Sequence, residues 1–348
     1  MKKLLIGTAL ASAMLVSTVA QAETKVSGYF ETNYRSISTD VTGGSKNSPS
    51  AAFGTEMDLN IASTNELDNG MTLGVFIGTT NESASGAGGW GTDSYEISVS
   101  SGDSKFAIST DRGNTIDMVH DVIVNPVDQP VDNHGKIGGT SFGGKGVAGG
   151  TTDIQGKTNL NFTQKFDMGT LAIAYMPSSG NTENQTSSFI NDAANDYSGY
   201  SIATKVNPID GLTVVAGYEI ESEATLQDAK STTYGASYTM GEVSFGYQKT
   251  NNDVRLEEGV SNTAADAIDY TGTHYGVAYK VSDALTVGFA VQNVDKKGTA
   301  NDEEYQQVEA AYSLGALGIG MSYGQVENVN GVTGTDADQL MIRLSSKL

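Results

Sequence analysis

Cysteine is absent from the 348 residues. An exported chain without thiols needs no disulfide chemistry and crosses an oxidising compartment without mispairing. Histidine is nearly absent too: His120, His134 and His274 are the three, and none stands at a recognisable catalytic spacing. General-base and nucleophilic chemistry need such a spacing, so catalysis is not expected. The acids match no calcium-loop spacing and thiol ligands are missing, so neither a metal site nor a cofactor is expected. Hydrophobic residues reach only 38%, less than a soluble domain of this length should carry for its core. Positive charge is scarce as well, with 20 Lys and Arg against 41 Asp and Glu and a net charge of −21, which argues against a nucleic-acid partner.

Long apolar runs are missing except near the N-terminus. There Lys2 and Lys3 precede an apolar stretch from Leu4 to Val19, and Ala20-Gln21-Ala22 has the small-x-small form of a cleavage site. The stretch is too short for an anchor, so residues 1–22 are expected to be a cleaved Sec-type signal peptide and 23–348 one mature domain. Nothing else approaches the roughly eighteen apolar residues that a spanning helix needs. Any passage through lipid must therefore be made by strands closed on themselves.

What is there is alternation. About sixteen runs of period two are legible, near 25–36, 51–64, 70–80, 93–101, 104–112, 156–166, 169–177, 197–206, 211–222, 230–240, 242–251, 269–281, 285–295, 303–313, 316–328 and 337–348. Phe53, Met57, Leu59 and Ile61 oppose Gly54, Glu56, Asp58 and Asn60. Leu285, Val287, Phe289 and Val291 oppose Thr286, Gly288, Ala290 and Gln292. Alternation alone fits a soluble sandwich as well as a membrane barrel.

The connections decide between them. Asn65 to Gly70, Gly102-Asp103, Asp167 to Gly169, Asn207 to Gly211, Gly241, Ser282-Asp283 and Gly315 are tight turns. Between them lie mostly long polar segments near 38–50, 81–92, 113–155, 178–196, 252–268 and 329–336. A sandwich has no reason to sort its loops by side. The pattern fits periplasmic turns and extracellular loops of an outer-membrane barrel. Aromatic residues agree: Tyr175, Tyr218, Tyr247 and Tyr323 fall on the apolar face near the loop ends, and Phe166, Tyr238, Tyr279 and Tyr312 near the turn ends. Two such rings are the girdles of a membrane barrel.

Several segments carry a family resemblance. Lys25 to Phe30, Glu66 to Leu73, Tyr95 to Arg112 and Gly156 to Gly169 resemble, in order and spacing, the opening strand, first turn and loop-flanking strands of the Gram-negative general porins. The resemblance implies a trimeric, sixteen-stranded all-β diffusion channel in outer-membrane lipid and lipopolysaccharide, with a third loop folded into the lumen. It also implies insertion by the barrel-assembly machinery, whose signal is usually a terminal Phe. Here Leu348 stands in that place. The family's second loop reaches a neighbouring protomer, and Trp90, the only tryptophan, lies in the corresponding segment.

Selectivity is expected in the longest connection. Thr115 to Val124 can form a short helix in which Asp117 and Asp121 share a face, and Pro126 and Pro130 then stiffen a stretch carrying Asp128 and Asp132. Gly138-Gly139, Gly143-Gly144, Gly146 and Gly149-Gly150 would allow this loop to pack closely on a wall. Porins of the family set such acids against a basic wall, for which Arg35, Arg112, Lys157 and Arg343 are the candidates. With Glu31, Glu56, Asp58, Glu219, Glu221 and Glu309 also inward by parity, the lumen is read as net acidic and mildly cation-preferring toward small hydrophilic solutes and ions. A substrate-specific channel and a surface structural or receptor barrel remain alternatives.

Overall fold

Period-two alternation becomes sixteen antiparallel strands in the computed structural model, which describes residues 23–41, 50–83, 89–110, 115–120, 122, 124–127, 158–177, 197–223, 228–253, 269–297, 299 and 301–347. The first half holds β1 (Glu23–Val41), β2 (Ser50–Glu66), β3 (Thr72–Ser83), β4 (Gly91–Ser101), β5 (Ser104–Thr110), β6 (Asn159–Phe166), β7 (Gly169–Met176) and β8 (Tyr197–Ile209). The second half holds β9 (Leu212–Glu223), β10 (Ala229–Met240), β11 (Val243–Asp253), β12 (Tyr270–Lys280), β13 (Leu285–Lys296), β14 (Glu303–Leu314), β15 (Leu317–Glu327) and β16 (Thr335–Lys347). One short helix, α1 (Thr115–His120), and a 3-10 turn at Val329–Gly331 complete the described elements. No described helix is long and apolar enough to cross a membrane.

Each strand is hydrogen-bonded to its sequence neighbours and β1 also pairs with β16, so the sheet closes into a barrel. Closure satisfies every strand from both sides, the condition for β-structure in lipid. The seam is long: it runs from Tyr29 opposite Lys347 to Val41 opposite Thr335. Register shifts occur in two ladders, between Gly78 and Thr79 and between Val206 and Ile209.

The tight turns use glycine where the backbone must enter the left-handed region. Gly70 (φ 78°), Gly102 (56°), Gly211 (76°), Gly241 (61°) and Gly315 (63°) all do so. In the first turn the Gly70 amide donates to the Leu67 carbonyl at 2.8 Å and the Met71 amide to Asn69 Oδ1 at 3.1 Å. The bulged β8 runs on to Ile209, past Val206 where the sequence reading ends it, so the turn proper is Asp210-Gly211. The outermost strands of the reading also lengthen: β1 continues to Val41.

Candidate functional site

The two faces of the barrel are sorted by polarity in the reverse of a soluble protein. Outward positions carry exposed Phe53, Leu59, Ile61, Phe106, Ile173, Phe245, Phe289 and Ile342. Inward positions carry buried Glu31, Ser98, Asn161, Gln248, Thr250, Gln292, Gln307 and Gln339. So large an apolar exterior is stable only against lipid or a partner. Tyr175, Tyr323, Phe166, Tyr238, Tyr279 and Tyr312 are all exposed on that exterior. Tyr218 and Tyr247, which the sequence groups with them, are half-buried.

The described residues of the third long connection, between Thr115 and Val127, lie inside this lumen. Strand β5 stops after 7 residues. By Thr115 the chain lies against β8, where the Thr115 and Ser201 hydroxyls hydrogen-bond. Helix α1 then packs Val119 into a dry cluster with Val122, Ala203 and Val215, with Met118 at its border. It ends at His120, so the expected helix to Val124 is cut short. The β-branched Val122 and Val124 favour extended chain, and Val124 to Val127 run along the wall toward β15. Burying a valine contributes about 1.5–3 kcal/mol, so a few such contacts hold the segment on the wall.

Its far end is fixed by charge. The Val127 amide donates to Glu309 Oε2 at 3.1 Å. Glu309 in turn accepts from Gln307 Nε2 at 2.5 Å, and Gln307 Oε1 accepts from the Tyr305 hydroxyl at 2.5 Å. Tyr305 packs with Val326, Val329, Ala337 and Ile37 near the loop end of the barrel. A ladder of side chains on β14 thus links that end to the lumen segment.

The expected charged residues fall in three groups. Arg35, Arg343, Glu31, Glu56, Asp58, Glu219 and Glu309 are described on the inward parity of their strands. Asp117 lies in α1, where the structure describes its backbone. Asp121, Asp128, Asp132, Arg112, Lys157, the paired loop glycines and Leu348 lie outside the described residues. The wall cations are engaged: Arg343 Nη1 lies 3.5 Å from Glu31 Oε2, and Arg35 donates to Gln339 Oε1 at 2.9 Å. Glu31 also accepts from the Tyr29 hydroxyl at 2.5 Å.

Cavities flank the segment on the turn side. One of about 240 Å³ lies under Pro126 and Val127 beside Arg343 and Ser345. Another of about 480 Å³ lies beside Met118, Lys105 and Lys165. The described stretch, Thr115 to Val127, thus forms a shelf with open space below it.

A sequence model described as a Gram-negative porin matches residues 9–330. The chain belongs to the Gram-negative porins. Three solved structures are similar in fold. The anion-selective porin from Comamonas acidovorans is 14% identical at a TM-score of 0.70, covering 94% of this chain and 100% of its own. A mutant of the Rhodopseudomonas blastica porin is 13% identical at 0.65, with 94% and 100% covered. OmpT of Vibrio cholerae, in its trimer form, is 14% identical at 0.65, with 94% and 99% covered. No curated protein matches the sequence. The porin is thus a channel for small solutes of the Gram-negative outer membrane, in a family of channel proteins rather than enzymes.

Two features of the porin's lumen are not among the residues that sequence singles out. Lys105 on β5 donates to both carboxylate oxygens of the buried Glu96 on β4, at 2.8 and 2.7 Å. The inward parity of both positions was a signal that could have found this pair. The second is a set of inward glycines beneath the shelf. Sequence shows them only as small residues on the polar face, and their partner, far away in the chain, is visible only in three dimensions.

Proposed function

We propose that this porin passes small hydrophilic solutes and ions by passive diffusion with a mild preference for cations. The observation that carries the reading is the sign of the buried inward charge. Glu31, Glu96, Glu219, Glu221, Glu303 and Glu309 are buried on the inner wall, and no lysine or arginine is among the buried described residues. Arg343 and Lys105 face Glu31 and Glu96, so their positive charge is locally compensated. Glu219 and Glu221 stand on the loop side of the shelf, where an entering ion meets them first. A low-dielectric wall focuses this field into the water-filled path and enriches cations there.

The narrowest part of the path is assigned to the gap between the shelf and the opposite arc of wall, which carries Arg35, Glu31, Glu56 and Asp58. Loop acids Asp117, Asp121, Asp128 and Asp132 and wall bases Arg112 and Lys157 complete this constriction in the proposal. Residues 1–22 are assigned to a cleaved signal peptide. A homotrimer, lipopolysaccharide contact and delivery by the assembly machinery follow the family resemblance.

Reversal potentials across planar bilayers under a KCl gradient test the charge reading. A potential of the cation-selective sign is expected, and anion selectivity would refute it. Liposome swelling with solutes of graded size tests the mode of transport. Dependence on size alone supports diffusion, and saturable uptake of one solute class would replace it with a specific site.

A further inference from the structure

The shelf does not rest on flat wall. At six inward positions the barrel has glycine where the segment comes closest, on β9, β10, β11, β12, β13 and β15. A Cβ at Gly217 would lie 2.8 Å from Val119 Cγ1, and one at Gly235 would lie 2.7 Å from Val122 Cγ2 and 2.5 Å from the Tyr247 carbonyl oxygen on β11. At Gly246 it would press into the Val122 carbonyl oxygen, and at Gly276 it would lie 2.6 Å from that of Val124. At Gly288 it would meet the Pro126 ring, and at Gly320 it would lie 2.6 Å from Val127 Cγ1. Gly246 and Gly276 are paired directly across the ladder.

The row has a defined height. Each glycine lies three to five residues from the turn end of its strand. At about 3.3 Å per residue and a tilt near 40°, that is roughly 8–13 Å into an apolar band about 25 Å tall. Strand β14 is the exception, and there Glu309 holds the segment instead.

We infer that these six glycines are positioning residues that set the width of the channel, by letting the segment sit about 1 Å deeper in the wall than alanine would permit. The inference rests on the shelf forming the constriction. It assigns the close packing of segment on wall to glycines of the wall, whereas the sequence reading looked for it in the loop's own glycines.

The chemistry differs between positions, which supplies the test. Gly276→Ala collides with main chain and must push the segment about 1 Å into the lumen, since contacts below about 3.5 Å are repulsive. Gly320→Ala collides with a side chain, so Val127→Ala should restore the space. Gly74 is an inward glycine on the arc without the shelf, where a Cβ would meet the Ser98 hydroxyl at 2.7 Å and that group can rotate. Gly74→Ala is the matched control.

Single-channel conductance and the swelling cut-off are measured on refolded protein, with heat-modifiable gel mobility reporting barrel integrity. Gly276→Ala and Gly320→Ala are expected to lose roughly 10–30% of conductance, because the smallest diameter limits flux. Gly320→Ala/Val127→Ala should recover it, Gly276→Ala/Val124→Ala should not, and Gly74→Ala should match wild type. Conductance in Gly276→Ala equal to or above that of Gly74→Ala would overturn the inference while leaving the channel itself intact. Failure of Val127→Ala to rescue Gly320→Ala would also overturn it. If Gly276→Ala and Gly320→Ala do not fold, Gly217→Ala provides the same comparison: reduced conductance restored by Val119→Ala supports the seat, and conductance equal to wild type in Gly217→Ala overturns it. Wild-type protein without conductance would overturn the channel reading together with this one.

Discussion

Removing the Glu309 carboxylate should unlatch the lumen segment without opening the barrel. Glu309 is 6% exposed and receives the Val127 amide at 3.1 Å. A hydrogen bond to a charged group contributes about 1.5–3 kcal/mol net, and 1.36 kcal/mol is a factor of ten. Glu309→Ala should therefore raise the unlatched population by about 10- to 150-fold. Glu309→Gln keeps an oxygen acceptor but only a neutral bond of about 0.5–1.5 kcal/mol, so its effect should be several-fold. Both substitutions remove the same charge. A change in ion preference common to the two reports that charge, and the difference between them reports the latch. The assay is single-channel recording at fixed voltage, counting brief partial closures per second. Equal closure frequencies in the two variants would refute the reasoning, whatever happens to conductance.

Further outcomes are expected from the same geometry. Glu219→Gln/Glu221→Gln should lower cation preference in reversal-potential measurements, and the shift should shrink from 0.1 M to 1 M KCl as the screening length falls from about 10 to 3 Å. Arg343→Ser, which removes the cation 3.5 Å from Glu31, should raise cation preference in the same assay. Because the chain has no native Cys, Val119→Cys/Ala203→Cys can be oxidised cleanly. Those two residues share one dry cluster, so the disulfide should form and leave conductance unchanged, as read by gel mobility and bilayer recording. A chain that oxidises only after heating would show that the helix is not held on β8.

The wall was legible in sequence because each strand obeys a local rule. Parity around Phe53 and Leu285 places side chains on faces without reference to any other strand, and Gly70, Gly102, Gly241 and Gly315 mark turns by backbone need alone. The lumen was less legible because its partners are remote in sequence. Val124 and Gly276, or Val127 and Glu309, belong together only once the ring has closed. Helical spacing suggested that Asp117 and Asp121 share a face, but α1 ends at His120 as Val122 and Val124 take up their places on glycine. The extended preference of the two valines and their contacts with the wall act together there. Lys105 stands opposite Ser100 and Glu96 opposite Ser109, so their ion pair crosses one hairpin diagonally, on a ladder that could be drawn from the Gly102-Asp103 turn.

The seam between the first and last strands has a consequence for how the protein is made. Tyr29 meets Lys347, so the opening strand has no second neighbour until the final residues of the polypeptide arrive. Until then its free rim offers unpaired amides and carbonyls to any passing strand, an invitation to clumping. Pairings this distant in sequence also form slowly. Newly exported copies must therefore be shielded through most of their maturation, and a chain truncated before Thr335 should never become watertight.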